Sequence, residues 1–417
     1  MFLITRHNLF GTVGLSMQYD VVIVGAGPAG STAARFLSLQ GVKVLLIDKH
    51  YFPRDKPCAG VLLLRTLKRF PYLPQEIISS YSFGGDVSSS SMNNHFSLQK
   101  NEPIEAFVVR KEFDDTLTRI AVQAGAQFFQ GRAVTDVQIH KEKVVVTLSD
   151  GASVESDLVI GADGVWSIVA KKSGLGQHYP HVGRCLFEEV LVERDTLDKY
   201  FTDQRHFHLY LKFSGIAGFG WVAPKQDCVN IGVGEMRLTG SQQVSRTLLE
   251  VYHEFLHFLE QNKLIPSSIT HGKIQGGFTP LRPLARTLTH RVFLCGDAAG
   301  QINPVTGDGI HYAMVSGELA ARVCSLALEN GRVDASFLSQ YETLWKKEFG
   351  VEIKVFNYVL KQLLKKHRDE RYIRILSKNP PFVEFFVQKV NDLEPMQNFQ
   401  WTMARRFALM YLRDLFE

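Results

Sequence analysis

The regular pattern of the chain begins with a short, continuously apolar run. Val21-Val22-Ile23-Val24 has no polar interruption, as expected for a parallel strand that is buried on both faces. A glycine-rich turn, a helical stretch from Ser31 to Gln40 and a second apolar run from Val42 to Ile47 follow it. This order of strand, turn, helix and strand predicts a βαβ unit with two parallel strands.

Two later parts of the chain carry the same signature of a buried strand. The first, Asp157-Leu158-Val159-Ile160, comes after a helical stretch from Phe113 to Ala124 and a hairpin turn at Ser149-Asp150-Gly151. Asp-Gly supplies the positive φ angles that a tight hairpin turn needs. The second, Val292-Phe293-Leu294-Cys295, precedes a helix that we expect to end near Leu328. Both therefore belong with the amino-terminal unit.

Between these segments the pattern changes to alternation. Over residues 206–213, apolar positions alternate with His206, His208, Tyr210 and Lys212. A period of two predicts an antiparallel sheet with one apolar and one polar face. We expect this sheet to cover a ligand that is bound by the α/β part.

The patterns together predict an α/β fold with separate parts. We expect a discontinuous Rossmann-type domain at residues 17–80, 101–179 and 281–330. An antiparallel-sheet substrate domain is expected at 81–100 and 180–280. A helical carboxyl-terminal region is expected at 331–417. Residues 1–16 lack the uninterrupted apolar stretch of a secretory signal. We expect them to be a disordered lead.

Composition adds broad limits. A chain of 417 residues with 45% hydrophobic and 21% charged residues is typical of a globular enzyme. The net charge of +5 is mild at this length. The five cysteines are scattered without a CxxC pair, which favours a reducing, cytoplasmic location over a disulfide framework or a metal cluster. No run of about 18 apolar residues, as a membrane span would need, is present.

The glycine-rich turn is the first candidate binding motif. Gly25-Ala26-Gly27-Pro28-Ala29-Gly30 follows the first strand and opens a helix. The first glycine allows the tight turn, the second lets the backbone approach a pyrophosphate, and the third lets the helix pack on the strand. Asp48, followed by Lys49, ends the second strand, where its carboxylate can accept from ribose hydroxyls. This motif predicts a dinucleotide but does not separate FAD from NAD.

Two further motifs indicate FAD. Asp163-Gly164 comes straight after the buried strand 157–160, and Gly296-Asp297-Ala298-Ala299-Gly300 stands between another strand and a helix. We expect Asp297 to take the ribityl hydroxyls. The amides of Gly307-Asp308-Gly309-Ile310 would face the pyrimidine edge of the flavin, where they can stabilise negative charge on the reduced ring.

With these motifs, the chain from about Tyr19 to Leu328 resembles the flavoprotein family that includes p-hydroxybenzoate hydroxylase, flavin-dependent halogenases and geranylgeranyl reductases. The resemblance implies that Asp163-Gly164 contacts flavin and nicotinamide. It also implies that Arg110, in Val109-Arg110-Lys111-Glu112-Phe113-Asp114, lies near the flavin pyrophosphate. For Arg110, the alternative of a solvated arginine at a helix start remains open.

One loop resembles the geranylgeranyl reductase branch more closely. Phe52-Pro53-Arg54-Asp55-Lys56-Pro57-Cys58-Ala59-Gly60 is similar to that branch's Lys-Pro-Cys-x-Gly loop beside the isoalloxazine. The resemblance implies that Cys58 takes part in proton delivery or positions the alkene. The alternative is a small buried cysteine in a tight loop.

A second element points to the same branch. Gly218-Phe219-Gly220-Trp221-Val222-Ala223-Pro224-Lys225 is similar to its Tyr-x-Trp-x-Phe-Pro element, which contributes aromatic surface to the substrate cavity. The resemblance implies that Trp221 acts in the cavity, lined also by Phe219 and Pro224. Phe219 replaces the tyrosine and Ala223 the second aromatic residue, so the substrate itself stays open.

Two other patterns have ordinary explanations. His206 and His208 share a strand face, as two metal ligands could, but no third ligand is near in sequence and we expect no metal. From Val351 to His367 an apolar stripe is surrounded by lysines. Such a helix can lie on an anionic membrane, and the interpretation that we favour is a helix packed on the enzyme body.

The chain has one glycine-rich strand–turn–helix unit of this kind and therefore no separate NAD(P) domain. NAD(P)H bound transiently, or a small electron carrier, would reduce the flavin. No basic aromatic cluster indicates nucleic acid. The oligomeric state stays open.

Our leading hypothesis is an FAD-dependent oxidoreductase that reduces C=C bonds of a long apolar, isoprenoid-type substrate. Hydride transfer from N5 of the reduced flavin would be coupled to protonation. The first alternative is an FAD-dependent aromatic monooxygenase or halogenase. The second is a non-catalytic flavin protein for binding or electron transfer.

Overall fold

The computed structural model describes residues 17–176, 181–237, 246–266 and 269–416. The expected lead, 1–16, lies outside the described residues. The strands, in chain order, are β1 (Met17–Val24), β2 (Val44–Ile47), β3 (Val61–Leu63), β4 (Ile78–Ser82), β5 (Gly84–Ser88), β6 (His95–Gln99), β7 (Glu105–Val108), β8 (Gln127–Phe129), β9 (Val134–Ile139), β10 (Val144–Leu148), β11 (Ser153–Gly161), β12 (Val182–Leu191), β13 (Phe207–Leu211), β14 (Gly218–Pro224), β15 (Cys228–Arg237), β16 (Gln275–Pro280), β17 (Leu288–Thr289) and β18 (Val292–Leu294).

The helices follow the same order. The α-helices are α1 (Pro28–Leu39), α2 (Leu64–Arg69), α3 (Arg110–Gln123), α4 (Ile168–Lys172), α5 (Arg194–Phe201), α6 (Leu248–Gln261), α7 (Ile310–Glu329), α8 (Ala335–Leu338), α9 (Gln340–Trp345), α10 (Val351–Leu363), α11 (Arg368–Ser377), α12 (Pro380–Val390) and α13 (Gln400–Phe416). Short 3-10 turns lie at Gln75–Ile77, Phe213–Gly215, Gly296–Ala299 and Met396–Asn398, and a π-helical turn at Lys346–Gly350.

The largest sheet brings the three predicted apolar runs together. β18, β11, β1, β2 and β8 lie side by side and run parallel. Val21 of β1 is opposite both Leu158 of β11 and Val44 of β2. The hairpin β9–β10 extends antiparallel from the start of β11, and β17 pairs antiparallel with β18 at the edge of the sheet. The expected α/β fold is confirmed, and the carboxyl ends of β1, β11 and β18 lie next to one another.

Helices α1, α3 and α7 cover one face of this sheet. A Cβ at Gly317 of α7 would overlap the carbonyl oxygen of Ala29 in α1, so the two helices approach at backbone distance. A Cβ at Gly296 would lie 3.2 Å from Cβ of Ala29 in α1 and 3.2 Å from Cβ of Ala313 in α7, so the first turns of the two helices lie beside each other. Two helix amino termini therefore lie at the same region of the sheet edge.

The second sheet has seven strands in the order β16-β12-β15-β14-β13-β5-β6. All neighbours are antiparallel except β13 and β5. The polar face predicted for 206–213 is wrong at Tyr210, which is 7% exposed. Its ring lies 5.3 Å from that of Phe255 in α6, between ring centroids. A helix from a distant part of the chain covers this face, so local alternation could not reveal it.

The carboxyl-terminal helices pack on both sheets: α8 and α9 contact the first sheet, and α11 and α12 contact β6 of the second. As we favoured, α10 is packed rather than free: Ile353, Phe356 and Leu360 are buried, while Lys354 and Lys361 are exposed. None of the helices in the described ranges is long and apolar enough to cross a bilayer.

Candidate active site

The turn after β1 is shaped by glycines that have no room for a side chain. A Cβ at Gly25, whose φ is +99°, would overlap the backbone of Ala162, and a Cβ at Gly30 would overlap Gly25 O. Gly27 is different, because the nearest atom to a Cβ there is Nη2 of Arg54 at 3.8 Å. Gly27 also precedes α1 without a capping side chain. The turn therefore presents an open backbone surface and free helix amides.

Asp48 holds this turn to the end of β2. Its Oδ2 accepts a 2.8 Å hydrogen bond from the amide of Ala26, and its Oδ1 accepts one of 2.9 Å from the amide of His50. The carboxylate is buried and keeps lone pairs for a further donor such as a ribose hydroxyl. Lys49, predicted beside it, is exposed.

Arg54 is a cation at the glycine turn that the sequence reasoning missed. Its Nη2 pairs with Oδ2 of Asp114 at 3.0 Å, whereas its Nη1 is buried and has no hydrogen-bond partner in the described part of the chain. A buried guanidinium nitrogen normally has an acceptor. The unused donor, next to the open face of Gly27, suits an anionic group such as a pyrophosphate.

Arg110 starts α3 and is not the solvated arginine of the alternative interpretation. It is 9% exposed and forms two 2.9 Å hydrogen bonds with the carboxylate of Asp114. Burial opposes its charge, but Asp114 and the neighbouring Cys58 thiol raise the pKa of Arg110. Arg110 is therefore linked to the glycine turn through Asp114, which it shares with Arg54.

Asp163 and Gly164 follow β11, but the Asp163 side chain turns into the protein. Its Oδ2 accepts hydrogen bonds from the amides of Ile168 and Val169 at 2.7 and 3.2 Å, at the start of α4. Burial raises the pKa of this carboxyl. Gly164, at φ +80°, has open space where a side chain would stand. The backbone of Gly164, rather than the carboxylate, is thus the surface available to a ligand.

The third motif brings the Asp297 carboxylate opposite the start of α7. A Cβ at Gly309 would lie 3.5 Å from Oδ1 of Asp297. Ile310 is the first residue of α7, and Gly307, at φ +73°, faces open space. Gly296 serves the fold instead, since its amide donates to the side-chain oxygens of Gln301 and Ser316 at 3.0 Å.

These observations fit FAD. The open glycine surfaces at Gly27, Gly164 and Gly307 come from the three sheet segments, and the unpaired Nη1 of Arg54 supplies a donor for an anion. Two helix amino termini face the same region, which favours bound phosphate and a negatively charged ring edge. The chemistry of the donor set therefore matches a dinucleotide with a flavin.

The loop that carries Cys58 closes over the neighbouring surface. The amide of Gly60 donates to Cys58 Sγ at 3.3 Å, and Nδ2 of Asn230 donates to the Cys58 carbonyl at 3.3 Å. Pro57 packs against Gly277 of β16, where a Cβ would stand 2.8 Å from Pro57 Cβ. Cys58 is half-buried. The loop is thus held between the flavin-side domain and the second sheet.

An apolar cluster lies beneath this loop. Its buried members and the partly buried residues packed against them are Phe107, Phe187, Trp221, Ala223, Ala59, Val61, Cys185, Phe207, Leu209 and Phe219. Phe219 and Trp221 meet edge to face with centroids 5.9 Å apart. Gly232 makes room for the indole, because a Cβ there would overlap the Trp221 ring. The predicted substrate residues Phe219 and Trp221 are therefore brought together beside the Cys58 loop.

Pro224 ends β14 at the border of this cluster. It is buried, and its carbonyl accepts a 3.2 Å hydrogen bond from Ser80 Oγ. The next residue, Lys225, is also buried and pairs with Glu189, which lies 3.5 Å from Nδ2 of Asn230. Lys225, Glu189 and Asn230 form a polar cluster, and Asn230 connects this cluster to the Cys58 loop. The sequence did not predict it.

Two carboxyls near the flavin side were also missed. Both carboxylate oxygens of Asp308 are buried and have no hydrogen-bond partner among the described residues. Burial and nearby Glu352 raise the pKa of Asp308 to about 7, against the opposing effect of Arg65. Burial and Asp308 raise the pKa of Glu105 to about 8. The sequence feature that could have identified Asp308 as a site residue is its position between Gly307 and Gly309.

The charged neighbours of Asp308 form a closed network. Arg65 binds both carboxylate oxygens of Glu352 at 2.8 and 2.9 Å, and Tyr312 donates to Glu352 Oε1 at 2.6 Å. Because Glu352 already occupies the Arg65 guanidinium face, Asp308 forms no ion pair with Arg65, and with a pKa of about 7 its carboxyl is partly protonated at neutral pH.

The two histidines that were considered as metal ligands both lie beside the carboxylate of Asp86. Nδ1 of His206 and Nδ1 of His208 lie 2.9 and 3.3 Å from Asp86 Oδ2. In the part of the chain that the structure describes, no group of three or more His, Cys, Asp or Glu side chains is arranged to hold a metal ion.

Comparison with known sequences places the chain in a family. Residues 18–345 match the FAD binding domain family. A digeranylgeranylglycerophospholipid reductase of Methanopyrus kandleri is 30% identical, with 83% of this chain and 86% of that protein covered. One from Methanothermobacter thermautotrophicus is 31% identical, with 80% and 85% covered.

Solved structures show the same fold. A geranylgeranyl bacteriochlorophyll reductase-like protein from Thermoplasma acidophilum superposes with a TM-score of 0.77 at 24% identity, covering 87% of this chain and 92% of its own. The halogenase PltM in complex with phloroglucinol and FAD gives 0.68 at 17% identity, covering 94% and 86%. The sequence match and the cradle built from three segments agree: the chain belongs to the geranylgeranyl reductase family of FAD-dependent oxidoreductases.

Proposed function

We propose that this enzyme reduces carbon–carbon double bonds in a long apolar lipid of isoprenoid type. The observation that carries this proposal is the apolar cluster around Trp221, which lies against the Cys58 loop beside the candidate flavin cradle. An aromatic and aliphatic lining of this kind suits a hydrocarbon chain. The relatives named digeranylgeranylglycerophospholipid reductase support an isoprenoid lipid as the substrate class.

Residues of all three segments would hold FAD: the turn 25–30 with Asp48 and Arg54, the backbone of Gly164, and Asp297 with the backbone of Gly309. The expected amides of Gly307 and Asp308 are not available, because they already donate to Asn303 and Thr306. When bound and reduced, FAD supplies the hydride. An isolated trisubstituted alkene accepts hydride poorly, so a proton must reach the other alkene carbon before or during that transfer. The protein therefore has to exclude water and provide an acid.

Asp308 is the acid that we favour. Its carboxylate oxygens are buried, and its pKa, raised to about 7, leaves part of the carboxyl protonated at neutral pH. It belongs to the loop that faces the flavin, and Val305 of the same loop packs against the same small cluster as Phe219. Phe219 in turn meets Trp221. Through Val305 and Phe219 the loop that carries Asp308 is linked to the apolar cluster, and the proton would be delivered from this loop.

Cys58 and Trp221 would position the alkene. Trp221 offers a ring whose π face stabilises a cation-like transition state, and its position is fixed by Asn230. Cys58 is held by Gly60 and Asn230 and lies beside the cationic Arg110. Phe219 stands in place of a tyrosine and Ala223 in place of a second aromatic residue. The lining therefore has one hydroxyl and one ring fewer than the pattern of the branch, which would change the length or shape of the lipid chain that it accepts.

The electron donor would be NAD(P)H bound transiently near Gly164, or a small electron carrier. Both donors can be compared in one assay. The purified flavoprotein is mixed anaerobically with NADPH, NADH or a reduced ferredoxin, and loss of flavin absorbance is followed with time. The physiological electron donor is the one that reduces the flavin at least as fast as the enzyme turns over its lipid substrate.

The reaction is tested by anaerobic single turnover. The flavin is photoreduced, a mixture of prenyl lipids is added, and mass spectrometry reports gains of two hydrogens while absorbance reports flavin reoxidation. Product formed without oxygen supports the reductase and excludes the monooxygenase and halogenase alternatives. Reoxidation only after oxygen is admitted, with no two-hydrogen gain in any lipid, would overturn the proposal.

A further inference from the structure

The last helix, α13, has two faces of different character. Its inner face packs on α11 and α12: the Phe407 ring lies 5.4 Å from that of Tyr372 and 6.1 Å from that of Phe382, between centroids. Met410 is buried. These contacts fix the helix on the protein body and determine which side chains point outward.

The outer face of α13 is apolar and exposed. Trp401, Leu412 and Phe416 are 78%, 51% and 89% exposed, and Leu409 and Leu415 about half. At 100° per residue, Trp401, Leu409, Leu412 and Phe416 fall within about 80° of the helix circumference. Arg405 lies in the middle of the same arc, between Trp401 and Leu409, so the exposed stripe is apolar with one cation inside it. A group of exposed apolar side chains of this size is typical of an interaction site.

The charge of this face has one sign. Arg405, Arg406 and Arg413 are exposed and have no ion pair with any described residue, although Arg406 lies over the Phe385 ring at 4.2 Å. The only acidic residue of α13, Asp414, is bound inward by Arg371 and Arg374 at 2.9 Å. Among the described residues of α13, the outer face therefore combines large apolar side chains with cations and has no carboxylate.

We propose that α13 docks this enzyme on an anionic lipid surface, with the outer apolar side chains inserted between lipid headgroups and the arginines on the phosphates. An interfacial helix has this composition, with Trp, Leu and Phe on one side and basic residues around them. At 1.5 Å per residue the helix is about 25 Å long, so it can lie flat at the interface. The inference rests on the proposed lipid substrate, which would be drawn from the same membrane.

A second copy of the chain is a poorer occupant. A twofold contact between two α13 faces would bring the arginines of one copy toward those of the other, with no carboxylate on either face to separate them. Anionic headgroups provide the missing negative charge, and each basic residue near such a surface strengthens binding about fivefold.

The packing beneath α13 leads toward the candidate active site. Met403 on α13 and Val305 on the flavin-side loop pack against the same buried cluster of Phe356, Met396 and Phe399. One buried cluster of side chains thus lies between the inner face of α13 and the loop that carries Asp308.

The test uses the FAD-loaded full chain and extruded vesicles of phosphatidylcholine, with or without phosphatidylglycerol. We expect co-sedimentation with the anionic vesicles, weakened at least tenfold in neutral vesicles or high salt. The variant Leu409→Ser/Leu412→Ser should lose binding at least tenfold. Leu39→Ser, at a residue of similar exposure on α1, is the matched control and should bind like the parent protein.

A second readout follows Trp401 directly. Brominated lipids should quench part of the tryptophan fluorescence, and Trp401→Phe, which leaves the helix intact, should remove that quenched part. Unchanged binding in the double serine variant, absent binding of the parent protein, or conversion of a dimer to a monomer by that variant would each overturn the proposal.

Failure of the docking proposal and failure of the proposed reaction would give different experimental results. Vesicle binding is measured without turnover, so it does not depend on the identity of the substrate. If the double serine variant keeps normal activity on detergent-dispersed lipid but loses activity on vesicles, the docking proposal holds. If no lipid is reduced in either form while α13 still binds vesicles, only the proposed reaction fails.

Discussion

The indole Nε1 of Trp221 donates a hydrogen bond of 2.8 Å to Oδ1 of Asn230. The amide of the same Asn230 donates to the Cys58 carbonyl at 3.3 Å. Asn230 is fully buried, so water does not readily replace either bond. One amide side chain therefore sets the position of the aromatic ring in the apolar cluster relative to the Cys58 loop.

Removing Asn230 should disturb both partners. In Asn230→Ala, the buried indole N–H loses its acceptor, which costs about 1–3 kcal/mol. In Trp221→Phe, the donor is removed together with part of the ring. The double variant should lose less stability in urea unfolding than the two single variants summed, by about 1 kcal/mol. Strictly additive losses would show that the two side chains are not coupled.

Two glycines of β15 give a matched pair of variants. A Cβ at Gly232 would overlap the Trp221 indole, whereas a Cβ at Gly234 would lie at an ordinary 3.5 Å from it. Gly232→Ala should therefore displace the ring, destabilise the protein by about 1–3 kcal/mol and raise the KM for the lipid. Gly234→Ala should change neither by a measurable amount. Near-ultraviolet circular dichroism reports the ring, and steady-state assays report the KM. Equal effects of the two changes would contradict this account of the cavity.

The sequence could predict features that depend on neighbouring residues. The apolar run at 21–24 marks a central strand because a strand buried on both faces shows no polar interruption. The tight backbone packing at Gly25 and Gly30 was predictable because the motif itself fixes which atoms come close. For the same reason the three-segment α/β assembly was correct in outline.

Other features depend on distant parts of the chain. Tyr210 is covered by α6, and the Asp163 carboxylate is used by the start of α4; neither follows from local periodicity. Asp114 joins Arg54 to Arg110 because α3 lies beside the Cys58 loop. The charged groups that surround Asp308 come from β7, α2 and α10, which are distant from it in the sequence. Such groups become recognisable only when burial and missing partners are known.

Arg54 should contribute to FAD affinity. Its Nη2 lies beside the open face of Gly27, and the unpaired Nη1 of the same guanidinium is a charge-assisted donor. A hydrogen bond to such a group contributes about 1.5–3 kcal/mol. Arg54→Ala should therefore weaken FAD binding roughly 10- to 100-fold. Flavin fluorescence quenching during titration of apoprotein measures this constant.

The matched control is Arg119→Ala on α3. Arg119 also pairs with an aspartate, Asp115, at 3.0 Å, but its side chain is 63% exposed. Its loss should leave FAD affinity within about twofold, since exposed pairs contribute little. Equal weakening in both variants would point to a general effect of charge and remove Arg54 from the site.

Asp308 should impose a pH dependence on stability. Its pKa in the folded chain is raised to about 7 from an ordinary 3.8, chiefly by burial. Between these two values the folded state binds more protons than the unfolded state, so the free energy of unfolding falls as pH rises through this window. Asp308→Asn should flatten the fall between about pH 4 and 7. Part of the slope would remain, because Glu105, with a pKa of about 8, has the same sign.

The same group should set the pH dependence of the reaction, since only the protonated carboxyl is an acid. The rate of flavin reoxidation by lipid should decline as pH rises above about 7 in the parent protein. Asp308→Asn cannot donate a proton and should be slower by roughly 10²–10⁴-fold with no such decline. Glu105→Gln removes the second titrating carboxyl but keeps the Asp308 carboxyl, so the decline should persist. Arg65 and Glu352, which also face Asp308, stay unchanged in all three proteins. If Asp308→Asn retained both the rate and the decline, the proton would have to come from another group, and the Cys58 thiol would be the next candidate.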